Sequence, residues 1–202
     1  MTFVFTDIEG STRLWEEHPD AMRGALARHD EILRRAVEYH GGVIVKTTGD
    51  GAHAAFAVSA PAVLAAVDAQ RDLGAETWPS QARISARIGV HTGVAEVRDG
   101  DYYGAAVNRA ARIMAIGHGG QILLSDATAA IVRDDAGIVL RDLGEHRLRD
   151  LTRPERVHQV VADGLAVDFP TLRSLDALLQ TCRCNSRTSS GATTRSPASP
   201  KP

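Results

Sequence analysis

The chain has 202 residues, a formal charge of −2, 44% hydrophobic residues and 24% charged ones. That length suits one domain with a buried core plus a tail, and the near-neutral balance speaks against a nucleic-acid or membrane-surface binder, which carries a basic excess. No apolar run reaches the length of a bilayer span and no signal peptide is visible; the two cysteines, Cys182 and Cys184, are too close to pair with each other and too few for zinc, so a reducing, cytoplasmic setting is the simplest reading.

Phe3-Val4-Phe5 reads as a strand that runs into Thr6-Asp7 and a Gly10-Ser11-Thr12 turn. Residues 19–40 carry Met22, Leu26, Leu33 and Val37 at helical spacing, and Gly41-Gly42 ends that helix. Two strands, 43–46 and 52–58, are joined through Thr48-Gly49-Asp50-Gly51, a hairpin signal. An alanine-rich helix over 61–73 follows, then a strand pair at 84–90 and 93–97, and a helix over 104–116. Gly117-His118-Gly119-Gly120 reads as a turn, leading to a strand at 121–124 and a short helix at 126–132. Strands near 138–141, 146–148 and 157–161 complete a domain of residues 1–163. The mixture predicts an α+β fold, a two-layer sandwich with a mainly antiparallel sheet.

Three clusters carry chemistry. In Phe5-Thr6-Asp7-Ile8-Glu9-Gly10-Ser11-Thr12, a strand-end carboxylate precedes a turn whose free N–H groups favour phosphate oxygens. Lys46-Thr47-Thr48-Gly49-Asp50-Gly51 adds a second strand-edge carboxylate, and hard oxygen ligands of this kind select Mg²⁺ or Mn²⁺. In the run from Asp101 to Arg112, Asn108 and Arg112 stand one helical turn apart with alanines between them, an arrangement suited to charge developing on a phosphoryl group. Each cluster also has a plainer reading: a helix cap at Ser11 or Thr12, a tight Asp-Gly hairpin, and an exposed surface helix.

Together, in this order, the clusters resemble the class III adenylyl cyclases, especially the soluble mycobacterial type with FTDIEGST. The resemblance covers residues 2–161 and implies the nucleotidyl cyclase fold and a head-to-tail homodimer that converts ATP to cyclic AMP and pyrophosphate. It implies that Asp7 and Asp50 bind two metal ions, that Lys46 and Asp101 read the purine, that Asn108 orients the ribose, and that Arg112 stabilises the transition state. Gly10, Ser11 and Thr12 would cradle the triphosphate. Lys46 donating to adenine N1 and Asp101 accepting from the exocyclic amine would be mismatched to guanine. Arg147 and Arg149 alternate on one strand face; family members place a basic residue for the terminal phosphates near here, the alternative being a solvated face, while His91 in Gly-Val-His-Thr-Gly is expected to be structural. The alternative is a nucleotide-binding regulatory module with little or no turnover; a diguanylate-forming relative is disfavoured because no GG-D/E-E-F stretch occurs.

Residues 164–180 read as a linker, and 181–202 as an unstructured tail of Ser, Thr, Arg, Pro and Gly. With suitable codons the DNA for 180–202 also reads, in a shifted frame, as the entry to a signalling ATPase module. The expectation is that a frameshift shortened a longer regulator, the alternative being an ordinary low-complexity tail.

Overall fold

The computed structural model describes residues 1–135 and 137–176; the tail, 181–202, lies outside the described residues. The elements are β1 (Thr2–Ile8), α1 (Ser11–Glu17), α2 (Pro19–Tyr39), β2 (Val43–Thr48), β3 (Gly51–Phe56), α3 (Ser59–Ala75) and β4 (Ala86–Thr92). They continue with β5 (Glu96–Arg98), β6 (Asp101–Tyr103), α4 (Ala105–Ala115), β7 (Ile122–Ser125), α5 (Asp126–Val132), β8 (Val139–His146) and β9 (Glu155–Val161). Seven strands form one sheet in the order β2-β3-β1-β4-β7-β9-β8, antiparallel except at the β4–β7 pair. Among the described residues no helix is long and apolar enough to cross a membrane.

Strand alternation sorts the side chains between the two faces. Val4, Ala54, Ile88, Val90 and Leu124 face α2 and α3, which close that side with Ile32, Leu33, Ala62, Ala66 and Leu73. The buried stripe of α2, Met22, Ala25, His29, Ile32, Leu33, Ala36 and Val37, follows the helical period, and Pro19 starts the helix where a missing N–H costs nothing. Phe3 and Ala55 point to the other face, against Ala106 and Ala110 of α4. Asp7 shares this second face with Phe3 and Phe5 because the three alternate along β1.

Three details differ from the sequence expectation. Residues 93–97 do not pair with β4; instead β5 pairs with β6, turning at Asp99 and Gly100, both at positive φ. The two strands expected at 138–141 and 146–148 are one strand, β8, whose ladder with β9 shifts register between Asp142 and Glu145. Gly144 there is a bulge residue at φ 85°, its N–H bonded to Asp142, so it bends the strand without ending it. Arg147 and Arg149 consequently lie in the loop after β8. The segment read as a linker is described as far as Asp176 and lies on the domain, with Leu172 and Ser174 buried.

Candidate active site

Asp7 and Asp50 reach one end of the sheet because β1 and β3 are hydrogen-bonded neighbours. Their approach depends on Gly51: a Cβ there would stand 2.3 Å from the Thr6 carbonyl oxygen. The Ala52 N–H, next along, donates to Thr6 Oγ1 at 2.9 Å. Asp7 sits directly across from Arg87 of β4, whose Nε and Nη2 donate to its Oδ2 at 2.9 and 2.5 Å. Both bonds fall on one oxygen, which leaves Oδ1 outside the pair. Asp50 Oδ2 is buried with no hydrogen-bond partner among the described residues. An orphaned buried carboxylate oxygen is costly in a dry site and is what a cation would satisfy. Two carboxylates fit a magnesium-type ion that keeps waters and takes phosphate oxygens for its remaining positions; no group of three or more potential ligands occurs among the described residues.

The turn after Asp7 opens α1 through Gly10 at φ 72°, and neither Ser11 nor Thr12 caps the helix through its side chain. Glu9 is tied down: its carboxylate accepts from the Gly119 N–H at 3.1 Å and from Arg173, and its own N–H donates to Ser85. Burial alone would raise the Glu9 carboxyl, but those two donors outweigh it and hold it below the usual carboxylate range.

Lys46 and Asp101 are 55 residues apart and meet directly, Nζ to Oδ2 at 2.6 Å. Lys46 follows a bulge in β2, and Asp101 opens β6 with its Oδ1 on the Tyr102 N–H. The Lys46 ammonium and that N–H lower the Asp101 carboxyl from its ordinary value. Behind them lies His53, in register with both Lys46 and Phe5. Its ring is fully buried, stacks on Phe5 at 4.3 Å, and has no partner on either nitrogen among the described residues. Burial, reinforced by the Lys46 charge, pushes the imidazole down to about 4.

Asn108 and Arg112 stand on α4, Asn108 exposed and Arg112 half-buried. Ala106, before them, and Ala110, between them, turn inward. Ala106 and Ala110 are the buried stripe on which α4 rests, and Gly89 of β4 admits it: a Cβ there would sit 2.4 Å from the Met114 nitrogen. Arg112 Nη2 donates at 2.7 Å to Asp150, which holds φ 62° in the loop after β8. Arg147 and Arg149 are exposed; Arg147 is 3.9 Å from Asp176 and Arg149 is 4.0 Å from Asp150. His91 is buried with Nδ1 on Ser125 Oγ at 2.7 Å, a structural setting.

Sequence reading missed Arg87, Glu9, His53 and Asp150. Arg87 and His53 could have been found only from the pairing of β1 with β4 and β3, since nothing local marks them. Glu9 lay inside the quoted motif, but its partners are 110 and 164 residues away.

Residues 1–161 match the family described as the adenylate and guanylate cyclase catalytic domain. An uncharacterized protein of Mycobacterium tuberculosis is 40% identical over 178 residues, covering 86% of this chain and 60% of its own length. The chain thus spans less than two thirds of that relative. The adenylate cyclase of Neurospora crassa is 32% identical over 223 residues, covering 82% of this chain and 10% of the fungal protein. Among solved structures, an adenylate cyclase of Trypanosoma brucei in its monomeric state superposes with a TM-score of 0.79 at 27% identity, covering 85% of this chain and 92% of that one. An adenylate/guanylate cyclase/hydrolase of Silicibacter pomeroyi gives 0.68 at 35% identity, covering 80% and 96%.

Proposed function

Because the chain belongs to the family of adenylate and guanylate cyclase catalytic domains, we propose that it converts ATP to 3′,5′-cyclic AMP and pyrophosphate, with two Mg²⁺ or Mn²⁺ ions, in a head-to-tail homodimer. The Lys46–Asp101 pair carries this reading. It presents one donor and one acceptor together, 2.6 Å apart, each now satisfied by the other. Adenine offers the complementary set, an N1 acceptor beside an amine donor. Guanine offers the reverse, and a buried mismatch leaves polar groups unpaired on both sides.

Asp7 and Asp50 would hold the ions, whose chemistry is to lower the pKa of the ribose 3′ hydroxyl and to neutralise the triphosphate. The N–H groups of the Gly10-Ser11-Thr12 turn would bind phosphate oxygens, while Arg87, held on Asp7 and the Ala115 carbonyl, would keep that carboxylate in place. Asn108 would orient the ribose while Arg112 binds the charge that builds at the α-phosphoryl group. The division between chains is supported by where the arginines go. Asp7 has Arg87 as its partner within the chain, whereas Arg112 turns to Asp150. A second chain would then supply the transition-state arginine to this pair of carboxylates.

The test is cyclic nucleotide formation by purified protein from ATP and from GTP, with Mg²⁺ and with Mn²⁺, over a range of protein concentrations. Lys46→Glu should reduce ATP use at least about a hundredfold and move preference toward GTP, since it sets an acceptor against adenine N1. An unchanged ATP-to-GTP ratio in this variant would take purine reading away from the pair. One observation favours a nucleotide-binding module without turnover: Asp7, Lys46 and Arg112 each have an oppositely charged partner within the chain. Such a module would bind ATP yet yield no cyclic AMP at any concentration.

A further inference from the structure

Beyond the stretch that matches the family, residues 169–176 cross three elements of the candidate site. Leu172, 4% exposed, enters a cluster with Ile113 and Ile116 at the end of α4, Leu123 of β7, Leu148 of the loop after β8, and Val157 of β9. The Arg173 N–H donates to the Ile116 carbonyl at 2.9 Å, satisfying a carbonyl at the C-terminus of the helix that bears Asn108 and Arg112. Its guanidinium meanwhile pairs with Glu9, which stands between Asp7 and Gly10. Further on, the Leu175 N–H donates to the Arg147 carbonyl at 3.1 Å and Asp176 accepts from the Arg147 N–H at 2.9 Å. That loop also carries Asp150, the partner of Arg112.

We propose that this segment is part of the catalytic unit and that Arg173 is a positioning residue, bracing the turn after Asp7 against the end of the helix that carries Arg112. The inference rests on the cyclase reading above. Two physical points separate it from ordinary packing. The Arg173 side chain is 48% exposed and that of Glu9 33%, so their ion pair contributes little to global stability. Both groups it joins, however, sit one or two residues or one helical turn from groups that must be held to a fraction of an ångström, where small displacements cost rate steeply. Arg173 therefore acts on geometry far more than on folding. It also acts on both half sites of one chain at once, since Asp7 and Arg112 of that chain would serve different centres of the dimer.

The experiment compares the full chain with Arg173→Ala, Arg173→Lys, Glu9→Gln and the Arg173→Ala/Glu9→Gln double variant. The readouts are kcat and KM for ATP, melting temperature, and amide hydrogen exchange at residues 9–13 and 113–117. Arg173→Ala should lower kcat about tenfold or more with KM changed less than about twofold. Melting should move by no more than about 2–4 °C, and exchange should quicken in both segments. Arg173→Lys should recover most of the rate. Glu9→Gln should reproduce the loss, and the double variant should be no worse than the poorer single one, because the two act as one unit. A KM rise at constant kcat would make Arg173 a direct phosphate contact and overturn the proposal. So would additive losses, unchanged kcat, or unchanged exchange in either segment. If the wild-type chain makes no cyclic nucleotide, the cyclase reading fails, while exchange in the two segments still decides whether Arg173 braces them.

Discussion

The buried His53 ring, with both nitrogens unpaired, and the buried Oδ2 of the half-buried Asp50, unpaired among the described residues, each predict a measurable cost. The His53 ring is pushed down to about 4 chiefly by burial, and the buried His91 ring, also by burial, to about 4. Unfolded imidazoles titrate near 6.5, so between about pH 6.5 and 4 the unfolded chain binds more protons than the native one. Stability is therefore full above that window and is lost as pH falls through it. His53→Leu should remove the His53 share: between pH 7.5 and pH 5 the variant should lose about 2 kcal/mol less than wild type in urea titrations. It should also gain stability at pH 7.5, because two unpaired nitrogens leave the interior. An equal acid loss in both proteins would mean the ring is not held neutral. For Asp50, the orphaned Oδ2 predicts that Asp50→Asn raises the melting temperature without metal and abolishes the further rise on adding Mn²⁺. A variant that still responded to Mn²⁺ like wild type would remove Asp50 from the metal site.

At the scale of elements, the site depends on two close approaches that only glycine permits. Gly51 lets β3 lie against Thr6, and Gly89 lets α4 lie on β4. Gly89→Ala drives a Cβ toward the Met114 backbone, which cannot yield as a flexible side chain would. The expected destabilisation is about 1–3 kcal/mol, read as a lower melting temperature. Because α4 carries Asn108 and Arg112, kcat should fall as well, even at temperatures where the variant is fully folded. A variant that melts early but keeps the wild-type kcat when folded would separate α4 seating from catalysis. The elements themselves were largely legible in sequence, since α2 follows the apolar period and α5 was expected at the bounds it has, 126–132. Two strand assignments differ. The strands expected near 138–141 and 146–148 are one strand, β8, which absorbs Gly144 as a bulge. Gly93 to Val97 reads as the partner of β4, yet its strand pairs forward with β6.

For the whole molecule, the proposed division of each centre between two chains has a quantitative consequence. Asp7→Ala, which removes a metal ligand, and Arg112→Ala, which removes a transition-state donor costing about 10²–10³ in rate, should each be nearly inactive. Mixed with free exchange, about half the dimers are hybrids, and each hybrid has one centre with every residue present. About a quarter of wild-type activity should return. Asp7→Ala mixed with Asp50→Ala should stay inactive, because both carboxylates serve one centre from one chain. Revival of the second mixture, or failure of the first with exchange demonstrated, would falsify the shared arrangement.

By itself the sequence determined the kinds of chemistry on offer and most of the secondary structure, because strand alternation, helical periodicity and turn residues act over a few neighbours. Asp7 at a strand end, Asp50 in a hairpin and Asn108 with Arg112 on one helix are all local statements. Which charges meet was decided by the tertiary structure. Asp7 meets Arg87 only because β1 and β4 are adjacent in that register, and Lys46 meets Asp101 only because the β5–β6 hairpin swings back to β2. Glu9 meets Arg173 only because residues 169–176 return across the domain. Those partners are separated by 80, 55 and 164 residues. Strand order and the burial of Leu172 bring them together, and neither is encoded in any short stretch of chain.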